Sequence, residues 1–237
     1  MTTTTATQPI GPLVDAHPAK RPDRVMLDGR WVTLAPLNPE KHAEALYEGS
    51  NGDAAREAVW AYLFDGPYRS LEEFRAAIEA KARSADPLFF AVIDKALGRA
   101  VGYQTLMRVD AANRVIEVGN VMYTPAMQRT AGATEAQYLF ARYVFDTLGY
   151  RRYEWKCNAL NAPSRSAAKR FGFSFEGVFR QHMIVKGRNR DTAWFAMLDS
   201  EWPTRKSAYE RWLEPDNFDK EGRQKLRLSE LMPKEDG

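Results

Sequence analysis

The segment from Gly132 to Leu148 changes the period of the chain, and that change constrains the fold more than any other feature. Before it, apolar residues come in short runs, Leu88 to Ile93, Ala100 to Val109 and Arg114 to Tyr123. They are joined by Asp94 to Gly98 and Asp110 to Asn113, whose Asp, Asn and Gly residues favour tight turns. Within the segment, Ala133, Ala136, Leu139, Phe140, Tyr143, Val144 and Thr147 or Leu148 fall on one stripe at helical spacing, and Gly149 supplies the stop. A meander of three strands that runs straight into an amphipathic helix has to bury both apolar faces together, so a mixed α/β domain is expected.

The flanking segments fit that plan. Trp31 to Leu37 reads as a strand, and Pro39 to Gly49 as a helix opened by Asn38. Ser70 starts a helix to about Arg83 with Glu73 as its capping-box partner. Arg152 to Cys157 is a strand, and Asn161 to Phe171 a helix capped by Asn161, with Pro163 in its first turn and Gly172 past its end. Phe173 to Val185 and Asp191 to Leu198 read as strands around a hairpin tip, Lys186 to Arg190. Between Asn51 and Tyr68, the rings of Trp60, Tyr62, Phe64 and Tyr68 form either a wall over a pocket or a satellite of the core. The expected organisation is a loose tail over 1–25, one domain over 26–200, and a peripheral helical extension over 201–237 that carries Trp202, Tyr209 and Trp212.

Several classes of function fall away on composition. No run of about 18 apolar residues is present, so a membrane partner is not expected. The Thr-rich start lacks an apolar h-region, and Cys157 is the only cysteine, so a reducing, cytoplasmic setting is expected. His17, His42 and His182 are scattered and one cysteine cannot complete a set with them, so no metal is expected. No dinucleotide fingerprint or phosphate loop occurs, and Gly172-Phe173-Ser174-Phe175-Glu176 lacks the last glycine of a hydrolase elbow. The net charge of +3 does not call for nucleic acid. From Tyr150 to Arg190, however, ten basic residues face two acids, which suggests either an anionic ligand or a solvated basic face.

The constructive signal is a strand ending at Tyr123-Thr124-Pro125, followed by Gln128-Arg129-Thr130-Ala131-Gly132-Ala133-Thr134-Glu135-Ala136, which opens the central helix. Small residues at a helix start let an anion approach its free N–H groups. Further on come Asn158, Asn161-x-x-Ser164 and Lys169-Arg170-Phe171-Gly172-Phe173. Together with Glu117-Val118-Gly119, these motifs resemble the GNAT acetyltransferase superfamily, specifically its RimJ/RimL-like branch, over roughly Trp31 to Trp202.

The resemblance implies a GNAT fold: a central, mostly antiparallel sheet that splays at an acetyl-CoA cleft, with flanking helices. It implies acetyl-CoA as co-substrate and an amine as acceptor, with relatives acting on protein N-termini, amino acids and related small amines. A monomer or homodimer is expected. On this basis the backbone of Arg129, Thr130, Ala131, Gly132, Ala133 and Thr134 would hold the pyrophosphate, with Gln128 beside it. Asn158 and Asn161 would border the pantetheine, and Lys169 and Arg170 would reach the phosphates. The chain departs from the family in carrying Ala131 where glycine is usual, with Gly132 displaced by one, so weakened or re-aimed binding is expected.

The chemistry implied is direct attack by a neutral amine. Backbone N–H groups of Asn120, Val121 and Met122 would face the developing oxyanion. Glu117 would take the amine's proton, the alternative being a carboxylate merely paired with an arginine; Ser164 would protonate the thiolate, the alternative being a first-turn hydroxyl bonded to backbone. Cys157 suits inert packing better than an acyl-enzyme. Two other readings are an RNA-binding module built on Arg170 to Phe175, with Trp155 and Arg188, and a degenerate domain serving as a scaffold.

Overall fold

The computed structural model describes residues 10–233; the first nine residues of the Thr-rich tail and the last four of the chain lie outside that range. Eight strands form one sheet: β1 (Leu27–Asp28), β2 (Val32–Pro36), β3 (Leu88–Asp94), β4 (Arg99–Asp110), β5 (Val115–Tyr123), β6 (Arg152–Asn158), β7 (Ser174–Val185) and β8 (Arg188–Leu198). Their order is β1-β2-β3-β4-β5-β6-β8-β7, antiparallel throughout except between β5 and β6. The helices are α1 (Pro39–Ser50), α2 (Ala54–Glu57), α3 (Leu71–Arg83), α4 (Ala131–Arg142), α5 (Ala162–Arg170), α6 (Trp202–Leu213) and α7 (Leu228–Leu231). This is the mixed, mostly antiparallel architecture expected, and the crossover from β5 through α4 to β6 is its single parallel step.

At β3 both faces of the sheet are covered, which is why that strand reads as an unbroken apolar run. Leu88, Phe90 and Val92 point to the main core, where they meet Leu139 and Phe140 of α4. The alternate residues, Phe89 and Ala91, point to a second core with Leu46 of α1 and with Phe74 and Ile78 of α3. The caps read from the sequence form: Asn38, Ser70 and Asn161 accept the N–H groups of Lys41, Glu73 and Ser164. Glu73, however, reaches back to the N–H of Arg69 rather than to that of Ser70.

Four features differ from the expectation. First, α4 ends at Arg142 and continues as a π-helical turn, Tyr143–Thr147, before Gly149 turns the chain at φ +76°. Second, the β7–β8 turn has two residues, Lys186 and Gly187, both at positive φ, so Arg188 to Arg190 belong to β8 rather than to a tip. Third, α6 is no peripheral appendage: Trp202, Tyr209 and Trp212 sit in the main core, with Trp202 bonded to Asp146 at 2.7 Å and Tyr209 to the Phe171 carbonyl at 3.0 Å. Fourth, Ala19 and Lys20, at the end of the expected tail, bond to the carbonyls of Ala111 and Leu148.

One buried acid ties the layers together. The Glu135 carboxylate of α4 accepts the backbone N–H groups of Arg30, Trp31 and Val32 at 2.6, 2.7 and 2.9 Å, which fixes the start of β2. A Cβ at position 29 would collide with that carboxylate, so Gly29 permits the approach. Among the described residues no helix is long and apolar enough to cross a membrane.

Candidate active site

Strands β5 and β6 pair from Val115 with Arg152 to Val118 with Trp155, and then part. The separation begins beside a bulge. Tyr103 faces Met122 and Thr105 faces Gly119, so the single residue Gln104 stands against both Asn120 and Val121. An extra residue bends its strand away from the ladder, and Asn120 absorbs the bend at φ +46°, a region asparagine tolerates better than most residues. The parted ends line a cleft of about 440 Å³. Into it come Glu117, Asn120, Val121, Gln128, Asn158, Asn161 and Ser164 of the expected site.

Met122 does not line the cleft, and its side chain is fully buried in the second core. The alternation that turns Val121 toward the cleft turns Met122 away.

Glu117 is buried, 5% exposed, and lies in a chain of charges. Lys156 Nζ is 2.9 Å from it and 2.6 Å from Glu154, and Arg108 is 3.3 Å from it on the solvent side. Burial raises the Glu117 carboxyl above the ordinary carboxylate range, against the lowering pull of Lys156 and Arg108. Glu117 is therefore paired, chiefly with a lysine rather than an arginine, and it borders the cleft with a raised proton affinity. Lys156 is held on its other side by Trp194, whose ring centroid lies 3.8 Å from Nζ.

On the opposite wall, Ser164 Oγ accepts the Trp155 indole N–H at 3.0 Å. The hydroxyl is thus bonded through its oxygen to a side chain, and its own proton can be donated, with the Cys157 sulfur as a neighbouring acceptor. Asn161 Oδ1 accepts the N–H of Ser164 and Asn158 Oδ1 that of Leu160, so both amides are oriented. Cys157 is buried and free, and burial pushes its thiol up, away from the thiolate a nucleophile requires. Tyr123, also on the cleft wall, commits its hydroxyl to Gln104 Oε1 in a buried network with Gln137.

The remaining expected residues, at the start of α4 and, for Lys169 and Arg170, at the end of α5, do not line the cleft itself. Thr130 caps the helix by accepting the N–H of Ala133 at 3.2 Å, so that donor is already engaged. Arg129 is exposed at φ +62°. A Cβ at Gly132 would stand 2.8 Å from Val32, which explains the displaced glycine: helix packing on β2 demands it, while Ala131 rests partly buried against the main core. Thr134 is buried and accepts from Arg170 at 2.9 Å. The Arg170 guanidinium lies 5.3 Å from the Trp212 ring, and Lys169 is exposed on the same helix.

The basic excess over 150–190 is not one patch. Arg152 pairs with Glu154 and Glu176, Lys156 with Glu117 and Glu154, and Lys186 Nζ donates to the carbonyls of Trp60, Asp65 and Gly66, each at 2.9 Å. Of the rings in Arg170 to Phe175, Phe171 and Phe173 are buried while Phe175 is 41% exposed.

The aromatic stretch divides between its two readings. Trp60 and Tyr68 pack against Phe74 in the second core, whereas Tyr62 and Phe64 line the cleft. Across the mouth, Tyr62 donates to the Leu160 carbonyl at 3.3 Å. His182, Met183, Arg190 and Thr192 of the β7–β8 hairpin complete this side, with His182 Nδ1 and Thr192 Oγ1 2.9 Å apart. Arg190, only 8% exposed, was hidden from sequence reasoning by its assignment to a hairpin tip; the pair Lys186-Gly187, suited to a two-residue turn, was the available signal. Among the described residues, no three His, Cys, Asp or Glu side chains gather into a metal-holding group.

Residues 32–174 match the acetyltransferase (GNAT) domain as a protein family. The crystal structure of a GCN5-related N-acetyltransferase from Brucella melitensis is 53% identical, with a TM-score of 0.89 over 92% of this chain and 98% of that one. That of a probable acetyltransferase of the GNAT family from Chromobacterium violaceum ATCC 12472 is 37% identical, with a TM-score of 0.76 over 84% of this chain and 100% of that one. Among curated proteins, the "Putative ribosomal N-acetyltransferase YdaF" of Bacillus subtilis (strain 168) is 27% identical over 176 residues, 72% of this chain and 93% of its own length.

Proposed function

The chain belongs to the GNAT acetyltransferase family, whose members are acyltransferases that use acetyl-CoA, and from that premise we propose that it moves the acetyl group onto a primary amine by direct attack in a ternary complex. The acceptor class is a small amine, an amino-acid derivative or a protein N-terminus. The observation that carries the reading is the parting of β5 from β6, with Glu117 on one wall and Ser164 on the other.

The residues fit the co-substrate. The parted strands offer a groove for an extended arm, oriented amides at Asn158 and Asn161 border it, and outside the cleft the start of α4 has N–H groups with Arg170 of α5 bonded to its Thr134. In the step proposed, the amine nitrogen forms a bond to the thioester carbonyl carbon and the C–S bond breaks. Glu117, its proton affinity raised by burial, takes the proton the amine must lose, directly or through one water. Ser164 gives its proton to the departing sulfur and regains one from solvent. The bulge at Asn120 and Val121 supports a backbone role toward the oxyanion, because it frees that backbone from the regular ladder.

Acetyl-CoA and desulfo-CoA should both raise the melting temperature, since a ligand at 100 times its Kd adds about 2.7 kcal/mol to native stability. Thiol release with an amine panel then distinguishes an enzyme from a scaffold. Failure of both ligands at millimolar concentration rejects the reading.

A further inference from the structure

Arg190 is a buried cation that no carboxylate contacts among the described residues and on which Glu117 acts only through space. Its side chain lies in the cleft, yet Nε has no hydrogen-bond partner and the guanidinium forms no ion pair among the described residues. The other cations of the cleft are answered, Lys156 by Glu117 and Glu154, and Arg108 by Glu117. Glu117 is also the only acid lining the cleft among the described residues, and it is engaged twice. The wall therefore holds one positive charge more than it neutralises. A guanidinium kept dry without a partner is costly, and its planar fork matches an oxyacid.

Its position suits a ligand rather than the fold. Strand β6 ends at Asn158, paired with Thr192, so Arg190 lies on β8 beyond the last rung of that ladder, where the sheet is open. Thr192 and Arg190 both line the cleft, while Asp191 between them turns away to the Gln181 N–H and Asn189. The Phe64 ring centroid lies 5.2 Å from Arg190 Cζ and supports one face of the guanidinium. Burial lowers the guanidinium's proton affinity against the opposing pull of Cys157 and Glu117, and a bound anion would add to that pull.

The surroundings describe the rest of the occupant. Val59, Leu63 and Met183 join Phe64 to make an apolar wall. The mouth is narrowed by the Tyr62 bond to Leu160 and by Lys186, which pins the hairpin to the loop that carries Tyr62 and Phe64. A cleft of about 440 Å³, shared with the pantetheine arm, leaves a compartment for a small molecule.

Resting on the acetyltransferase reading above, we infer that the acceptor is a small amine carrying a carboxylate, an amino acid with an apolar side chain, whose carboxylate is held by Arg190 while its amine faces Glu117. Among the described residues, the cleft offers polyamines no unengaged carboxylate. Arg190 is then the residue that determines specificity.

The test is thiol release from acetyl-CoA by the wild-type protein with the free amino acids, their primary amides, their decarboxylated amines, spermidine and short N-terminal peptides. At least one apolar amino acid should exceed its own amide and amine in kcat/KM by about 30-fold or more, roughly 2 kcal/mol at 1.4 kcal/mol per decade. R190Q should bring that ratio within about threefold of one, chiefly through KM, and R190K should lie between, since a point charge lacks the fork. Equal or better turnover of amides, polyamines or peptides overturns the inference. So does the absence of amino-acid turnover in protein whose melting temperature acetyl-CoA raises. The wild-type contrast stands even if R190Q fails to fold. If neither acetyl-CoA nor desulfo-CoA binds, the acetyltransferase reading fails first and the inference falls with it.

Discussion

Replacing Ser164 with alanine removes two things at once: the acceptor of a buried indole N–H and the proton offered to the leaving sulfur. Trp155 is 6% exposed and donates to Ser164 Oγ at 3.0 Å, so the variant leaves a buried donor unpaired, which costs about 1–2 kcal/mol. For a chain of this size that lowers the melting temperature by roughly 2–8 °C. Turnover should fall as well. A thiolate leaves fairly well near neutral pH, so the loss of kcat is expected at about tenfold to a few hundredfold, from below the usual roughly 10²–10⁴-fold range for acid catalysis to its lower part, or about 1.4–3.5 kcal/mol of barrier. The N–H of Ser164 still reaches Asn161, so acetyl-CoA affinity should change little. Melting temperature, acetyl-CoA affinity and kcat are measured on one preparation, with Trp155→Phe beside it, which removes the indole donor and keeps the hydroxyl. A folded S164A protein with the expected loss of stability and a kcat within about twofold of wild type would falsify the acid role. Because Tyr123 commits its hydroxyl to Gln104, solvent would then be the proton source.

Glu117→Gln should lower kcat/KM by about 100-fold or more at neutral pH and abolish the acid limb of the pH profile, since the wild-type base is lost as pH falls through its raised pKa; an unchanged profile sinks the assignment. The same shift carries a sign for stability. Folding favours the protonated Glu117 carboxyl, so its contribution is full below the ordinary carboxylate range and lost as pH rises through the raised value. Melting curves across acidic pH should therefore show less of that loss in E117Q. Cys157→Ser should keep turnover within about threefold, because a buried thiol held up in pKa is no nucleophile; a folded, inactive C157S reopens the acyl-enzyme. Glu135→Ala orphans three backbone donors at the start of β2 and should cost about 2–4 kcal/mol, and a melting temperature equal to wild type contradicts the anchoring role.

Features whose signals are local were legible in the chain. The meander, the first turns of the central helix and the caps at Asn38, Ser70 and Asn161 each depend on residues within a few positions of one another, and these form as read. The helix's π-helical end and the bond between Glu73 and the Arg69 N–H do not. What was missed depends on long-range packing. Glu135 looked like one more polar residue of a helix start, because its partners lie about a hundred positions upstream. The aromatic residues of α6 looked peripheral because nothing in their spacing indicates that Phe171 and Asp146 wait beneath them. Arg190 was misplaced through a single turn: a tip of five residues puts it in solvent, and a tip of two puts it in a strand whose alternation turns it inward.

The three bonds from Lys186 to the carbonyls of Trp60, Asp65 and Gly66 use every donor its ammonium has. They join two stretches of chain more than a hundred residues apart into one jaw, and only the second supplies Arg190. Selectivity in such a protein cannot be transplanted by exchanging either stretch alone. A graft of the hairpin onto a relative lacking those carbonyls would carry the arginine but not its orientation, so mutations that retarget the enzyme should arise as matched pairs, one on each half of the jaw.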